Sequence, residues 1–260
     1  MNPKTIIVTP WHDRTQIHKF LAAWGLDPKS ELPSYLHLQR DKTKQGCAST
    51  KNAGIKAAMK KGAETIIILD DDCFPCLDES LQEFAEAHEI ALEPQELRLF
   101  EAVTDPPSRG TPYFKKSVMM PVAASMGYWK EIGDYDAPAQ LVRGATHPMT
   151  FKRGLIYGSY FPLCGMNLAF RVEEFPWCQF VDVERFDDIW QGFIWQRKAY
   201  ANGQCFNLGG PMIRHSRQSN VWHNLRVEAP NLERNETIWQ RAATLPLTEY
   251  ETFKKSVLAI

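Results

Sequence analysis

Three consecutive carboxylates, Asp70-Asp71-Asp72, close the short apolar run Ile66-Ile67-Ile68-Leu69. Two carboxylates about 4 Å apart repel by roughly 4 kcal/mol at an effective dielectric near 20, so such a triplet normally awaits a cation. Mg2+ or Mn2+ fits best, because these ions take oxygen ligands and are commonly held by one or two carboxylates together with substrate phosphates. The alternative is a solvated acidic turn after a core strand. A second acidic pair, Asp187-Asp188, opens a candidate amphipathic helix, where the macrodipole favours negative charge. Acids at a helix start are common for that reason alone; the functional reading makes one of them a general base. Adjacent helical positions point about 100° apart, so only one of the two reaches a substrate. Cys73-Phe74-Pro75-Cys76 has redox spacing, but the acids before it raise thiol pKa values, and no second pair completes a zinc site.

The elements that position these groups alternate. Thr5 to Thr9 is a β-branched strand ending at Pro10, a helix runs through His18 to Ala23, and Tyr35 to Leu38 reads as a second strand before a polar loop. From Cys47 to Lys61 the small and apolar positions Ala48, Ala53, Ile55, Ala58 and Met59 recur at helical spacing, with the lysines on the other face. Gly62 ends that helix and Thr65 to Leu69 is a strand buried on both faces. This order predicts an α/β fold with a doubly wound, mostly parallel mixed sheet flanked by helices, whose binding edge collects Thr9, Asp41 and the acid triplet. Asp78 caps a helix running to Leu92, and strands follow at Leu97 to Val103 and Val118 to Ala123. Residues 104 to 150, rich in Pro, Gly, Asp and aromatics, read as loops over the binding edge. A further apolar run spans Tyr160 to Phe170, a helix Arg185 to Ala199, a short last strand Met212 to Arg214, and a closing helix Leu232 to Ala243.

With 30 basic and 31 acidic residues the 260-residue chain carries a net charge of −1, so overall charge predicts no polyanion partner, and the local basic clusters read as solvated helix faces. No apolar run approaches the roughly 20 residues that span a bilayer, and the start of the chain has no signal-peptide character. Six cysteines in this length make no disulfide scaffold. The expectation is a soluble, cytoplasmic, single-domain protein.

Ser49-Thr50-Lys51-Asn52-Ala53-Gly54, followed by a strand and Asp70-Asp71-Asp72, resembles the nucleotide-sugar-binding half of the GT-A glycosyltransferase fold. Asp70 to Phe74, Asp134 to Val142, Phe161 to Phe170, Arg185 to Trp190, and His215-Ser216 with Ser219-Asn220 resemble, in order, the motifs of the reversibly glycosylated polypeptides, the UDP-arabinopyranose mutases of plants.

The resemblance implies a metal-dependent enzyme acting on a UDP-sugar, with a nucleotide-binding half over residues 1–75 and a sugar or acceptor half over residues 95–225. Asp70 and Asp72 then hold Mn2+ or Mg2+ with His215 as a third ligand, and Asp71 lies beside the diphosphate. Asp188, Asp187 and Arg109 carry the chemistry, while Asp134, Tyr135, Asp136, Gly165 and Asn167 enclose the sugar and Asp41 and Asn52 contact ribose or uracil. Arg109, seven positions before Lys116, matches the segment in which the family's arginine is reversibly glycosylated; a guanidinium stays protonated and is a poor nucleophile, which favours a phosphate clamp or transition-state contact. Lys116 departs from the family, which has arginine there. Three readings stay open: a UDP-arabinopyranose to UDP-arabinofuranose mutase with self-glycosylation; a transferase moving arabinose or another sugar to an external hydroxyl on a glycan, a protein or a hydroxylated base in nucleic acid; and a non-catalytic UDP-sugar-binding subunit, since family members assemble with relatives, which also admits a homo-oligomer.

Overall fold

The computed structural model describes residues 4–42, 47–98, 104, 106, 108–111, 117–146, 150–216 and 220–260. One sheet of eight strands organises it: β1 (Thr5–Trp11), β2 (Leu36–Arg40), β3 (Thr65–Leu69), β4 (Cys73–Pro75), β7 (Val122–Glu131), β8 (Gly154–Ile156), β9 (Asn167–Arg171) and β10 (Cys205–His215). The order is β2-β1-β3-β9-β7-β10-β4, with β8 on β10. Strands β1, β2, β3, β7 and β10 run one way and β4, β8 and β9 the other, so the sheet is mixed and mostly parallel. A separate antiparallel pair joins β5 (Gln95–Arg98) to β6 (Ser117–Met120).

The helices are α1 (Arg14–Ala23), α2 (Cys47–Lys60), α3 (Leu81–Leu92), α4 (Ala137–Arg143), α5 (Asp187–Ala201), α6 (Val221–Arg241) and α7 (Tyr250–Leu258). Covering both faces of the sheet explains the apolar run of β3, whose Ile66 to Leu69 are fully buried. On β9, Asn167 meets His88 of α3 while Phe170 packs edge-on to Trp195 of α5; an odd offset along a strand puts these helices on opposite faces. Gly54 lets α2 lie close to β1, since a Cβ there would stand 2.4 Å from Val8 Cγ1. Trp190, Phe193 and Trp195, expected in the core, are at most 1% exposed.

Several boundaries differ from the sequence expectation. β1 continues through Pro10 to Trp11, and β2 is shifted to Leu36–Arg40. Ser80 rather than Asp78 caps α3, through a capping box in which the Glu83 N–H donates to Ser80 Oγ at 3.2 Å and the Ser80 N–H to Glu83 Oε2 at 2.8 Å. The stretch read as loops contains β7, the inner strand between β9 and β10; its Ala, Ser and Gly side chains gave no strong strand signal, yet its first eight residues are buried. β10 begins at Cys205, seven residues before the expected Met212, because Gly209, Gly210 and Pro211 form an irregularity in its pairing with β7 rather than a break. α6 starts at Val221, capped by Asn220, and runs through Pro230. Most of the strand expected over Leu97–Val103 lies outside the described residues.

Candidate functional site

The carboxyl ends of five strands meet at one edge, and β9 begins there. At the flank, Asp41 donates its backbone N–H to the Trp11 carbonyl at 2.8 Å, so the edge residue of β1 is Trp11, while Thr9 is buried. At the centre, residues 70–73 form a tight turn closed by Cys73 N–H to Asp70 O at 3.0 Å. Short β4 then pairs antiparallel with the end of β10, setting Cys73 opposite His215. That pairing brings His215 Nε2 to 3.6 Å from Asp72 Oδ2, and Ser216 donates its N–H to Asp72 O at 3.1 Å. The other ring nitrogen, Nδ1, lies 3.0 Å from the Ile132 carbonyl and donates to it, which leaves Nε2 facing Asp72. Burial lowers the imidazole pKa, but the Asp72 carboxylate outweighs it and the net shift is upward.

Asp71 is only 6% exposed, and its backbone carbonyl accepts from Gln16 Nε2 at 2.8 Å.

A residue missed by the sequence reading dominates the middle of the site. Lys51, only 3% exposed, places Nζ 3.0 Å from Asp70 Oδ1, 3.1 Å from Asp70 Oδ2 and 3.0 Å from the Gly165 carbonyl, with the ammonium 5.1 Å from the centre of the Phe180 ring. Burial lowers its pKa, but Asp70, Asp187 and Asp188 prevail and hold it well above the ordinary value. The signal was present in the spacing: Lys51 lies three positions after Ala48, four before Ile55 and seven before Ala58, on the buried face of α2. The expectation that the lysines occupy the other face therefore fails for Lys51.

The Gly165 peptide joins this lysine to the second acidic pair. Its carbonyl accepts from Lys51 while its N–H donates to Asp188 Oδ2 at 2.8 Å, and Asp188 Oδ1 accepts the Ile189 N–H at 2.8 Å. Only glycine fits, since a Cβ would stand 2.4 Å from the Phe180 ring. Burial, then the neighbouring Asp187, pushes Asp188 up to about 7 against the opposing pull of Lys51. Asp187 is also raised, chiefly by burial, and burial together with Asp72 pushes Asp70 up to about 6 against Lys51. Cys164 Sγ donates to Asp134 Oδ2 at 3.4 Å, and the charge of Asp134 is felt at both Asp188 and His215. Five carboxylates, Asp70, Asp72, Asp134, Asp187 and Asp188, thus surround one buried ammonium and one imidazole.

Other expected contacts have structural roles. Asn52 exchanges two hydrogen bonds with the Phe180 backbone, at 2.8 and 2.9 Å, and braces that loop. Asn167 is fully buried between His88 Nε2 at 2.8 Å and the Pro211 carbonyl at 2.8 Å, out of reach of a sugar. Gly165 is likewise buried and acts through its peptide. Asp136 is the N-cap of α4, accepting the Ala139 N–H at 2.7 Å; Tyr135 lays its ring against Gly133 and its carbonyl accepts from Gln140 Nε2. Arg109 sits on an exposed turn closed by Thr111 N–H to Ser108 O at 3.1 Å. Lys116 lies outside the described residues. All six cysteines are free. Among the described residues no helix is long and apolar enough to cross a membrane.

Fold and site together define an α/β protein whose sheet edge gathers acidic side chains around a buried lysine. The family model for the reversibly glycosylated polypeptides matches residues 41–258, and the chain belongs to that family. It is 33% identical over 237 residues to the probable UDP-arabinopyranose mutase 1 of Pisum sativum, covering 84% of this chain and 64% of that protein. It is 29% identical over 238 residues to UDP-arabinopyranose mutase 3 of Arabidopsis thaliana, with the same coverages. The chain thus spans somewhat under two thirds of the length of these curated relatives. A crystal structure of A197 from STIV superposes with a TM-score of 0.40 at 12% identity over 82% of both chains, a likeness too slight to bear on fold or activity.

Proposed function

We propose that this chain is an enzyme that interconverts UDP-arabinopyranose and UDP-arabinofuranose. The observation that carries the reading is the gathering of Asp70, Asp72, Asp134, Asp187 and Asp188 around Lys51 and His215 at the strand ends, in a member of a family whose curated relatives bear the mutase name. Ring contraction conserves every atom and changes no oxidation state, so the reaction needs no second substrate. It needs a held diphosphate, a stabilised anomeric cation and a group that takes and returns a hydroxyl proton. Asp188, with a pKa of about 7, suits the last task, since a group that cycles a proton works best when its pKa lies near the working pH. The carboxylates around it would stabilise positive charge at the anomeric carbon.

A divalent cation would neutralise the diphosphate against the acids, but among the described residues no three His, Cys, Asp or Glu side chains are gathered to hold one by themselves. Asp72 and His215 face each other, and His215 is fixed by Ile132 in the tautomer that offers Nε2 as a ligand. Asp70 is engaged by Lys51, so Asp72 and His215 are the two donors the chain would bring to Mn2+ or Mg2+, with substrate phosphate supplying others. Lys51 shares Asp70 and compensates part of the acidic charge in its own right.

The test is incubation with UDP-arabinopyranose and Mn2+ without acceptor, followed by NMR of the nucleotide sugar. A furanose product is expected, and its absence would overturn the mutase reading. Asp72→Asn should abolish both turnover and the Mn2+-dependent thermal stabilisation by UDP.

A further inference from the structure

Two acid-bearing turns approach the site from different parts of the chain, the segment Gly133–Asp136 before α4 and the segment Arg185–Asp188 at the start of α5. At the inner end they are tied together by consecutive residues: Cys164 Sγ donates to Asp134, and the Gly165 N–H donates to Asp188. At the outer end a single side chain from α6 joins them. Glu228, 2% exposed, accepts Arg185 Nε and Nη2 on Oε1, both at 2.9 Å, and the Ala137 N–H on Oε2 at 2.7 Å. That amide belongs to the first turn of α4, where backbone donors have no partner within the helix. Arg185 meanwhile holds φ at +65°, a conformation that residues with a side chain seldom adopt and that persists only where the surroundings enforce it.

From these contacts we infer that Glu228 is a positioning residue that fixes the spacing of the Asp134 and Asp188 turns. The contacts form a closed circuit: Asp134, Cys164, Gly165, Asp188, Arg185, Glu228, Ala137 and back along the chain to Asp134. Two points of attachment prevent the turns from rotating about one another, which one point would allow. A glutamate suits the task because its two oxygens serve two segments at once, and the two-nitrogen contact of the guanidinium sets direction as well as charge. The inference rests on the proposed function in taking these turns as the sugar-facing part of the site. The nucleotide-facing elements, β1, β3 and α2, make none of these contacts.

The test separates the two parts of the substrate. Dissociation constants of the full chain for UDP and for UDP-arabinopyranose are measured by calorimetry with Mn2+, in wild type, Glu228→Gln and Arg185→Lys. The glutamine keeps one acceptor and loses the charge; the lysine keeps the charge and loses the two-nitrogen contact. UDP affinity is expected to stay within about twofold, while the ratio of the UDP-arabinopyranose constant to the UDP constant rises by about tenfold, the scale of loss that small misplacement of binding groups produces. Equal weakening of both ligands, or an unchanged ratio, would overturn the positioning role. If Glu228→Gln fails to fold, Arg185→Lys alone decides, since it leaves the buried carboxylate a cation. The furanose assay on wild type is separate: no product there removes the mutase reading, while the ratio still judges Glu228.

Discussion

Replacing Lys51 by methionine removes the ammonium while keeping most of the side-chain volume. Nζ lies 3.0 Å from Asp70 Oδ1, with 4% of the lysine side chain and 24% of the aspartate side chain exposed. At an effective dielectric near 20 such a pair attracts by about 5 kcal/mol, and removing one partner of a buried pair costs about 3–5 kcal/mol because the other is left uncompensated. Losing the hydrogen bond to the Gly165 carbonyl adds about 1 kcal/mol at any pH. Asp70 stands at about 6 even with Lys51 in place, because burial raises it more than the lysine lowers it. Without the lysine it can evade part of the cost by taking up a proton. A carboxyl whose folded pKa exceeds its unfolded value favours the fold while protonated, and that contribution disappears as pH rises through the folded pKa. The variant should therefore lose about 1 kcal/mol at pH 5 and about 4–6 kcal/mol at pH 8, the cost of the broken pair together with that of the lost hydrogen bond. Urea unfolding at the two pH values, followed by the fluorescence of the eight tryptophans, measures both. Equal losses at pH 5 and pH 8 would refute the ion-pair argument, as would a loss at pH 8 of under about 1 kcal/mol, the worth of a surface pair.

Asp188→Asn keeps an oxygen for the Gly165 N–H and removes a charge that burial and Asp187 oppose; it should abolish furanose formation yet raise stability at pH 8 by about 1–2 kcal/mol, seen as a higher urea midpoint. Gly165→Ala drives a methyl into the Phe180 ring and to 3.2 Å from Asp188 Cβ, so about 1–3 kcal/mol of stability and most of the turnover should be lost, while a variant as stable and active as wild type would contradict the packing. His88, fully buried, is pushed down to about 4, first by burial. A base held neutral in the fold contributes stability above its unfolded value near 6.5 that is lost as pH falls toward 4, so an imidazole NMR signal still neutral at pH 5.5 is expected, and a midpoint near 6.5 would contradict the burial argument.

What the sequence determined by itself was local and periodic. The β-branched run at Thr5, the apolar run at Ile66, the stop at Gly62 and the amphipathic start of α5 announce their elements because burial pattern, capping and backbone freedom act over a few residues. Asp70, Asp72 and Asp188 could be singled out as candidates for the same reason, since they follow or open such elements, whereas His215 was singled out by its likeness to a family motif. Tertiary structure decided which of them meet. His215 reaches Asp72, 143 positions earlier in the chain, only because β4 pairs with β10. Asn167 looked like a site residue and proved a core residue, since its position on an inner strand facing α3 cannot be read from its neighbours in sequence. Lys51 could be placed on the buried face of its helix by spacing, but its partner Asp70 lies on another element and its second acceptor, the Gly165 carbonyl, lies 114 residues away. Glu228 had no signal at all: a buried glutamate on a polar helix is recognisable only when the two backbone segments it joins have already been brought together.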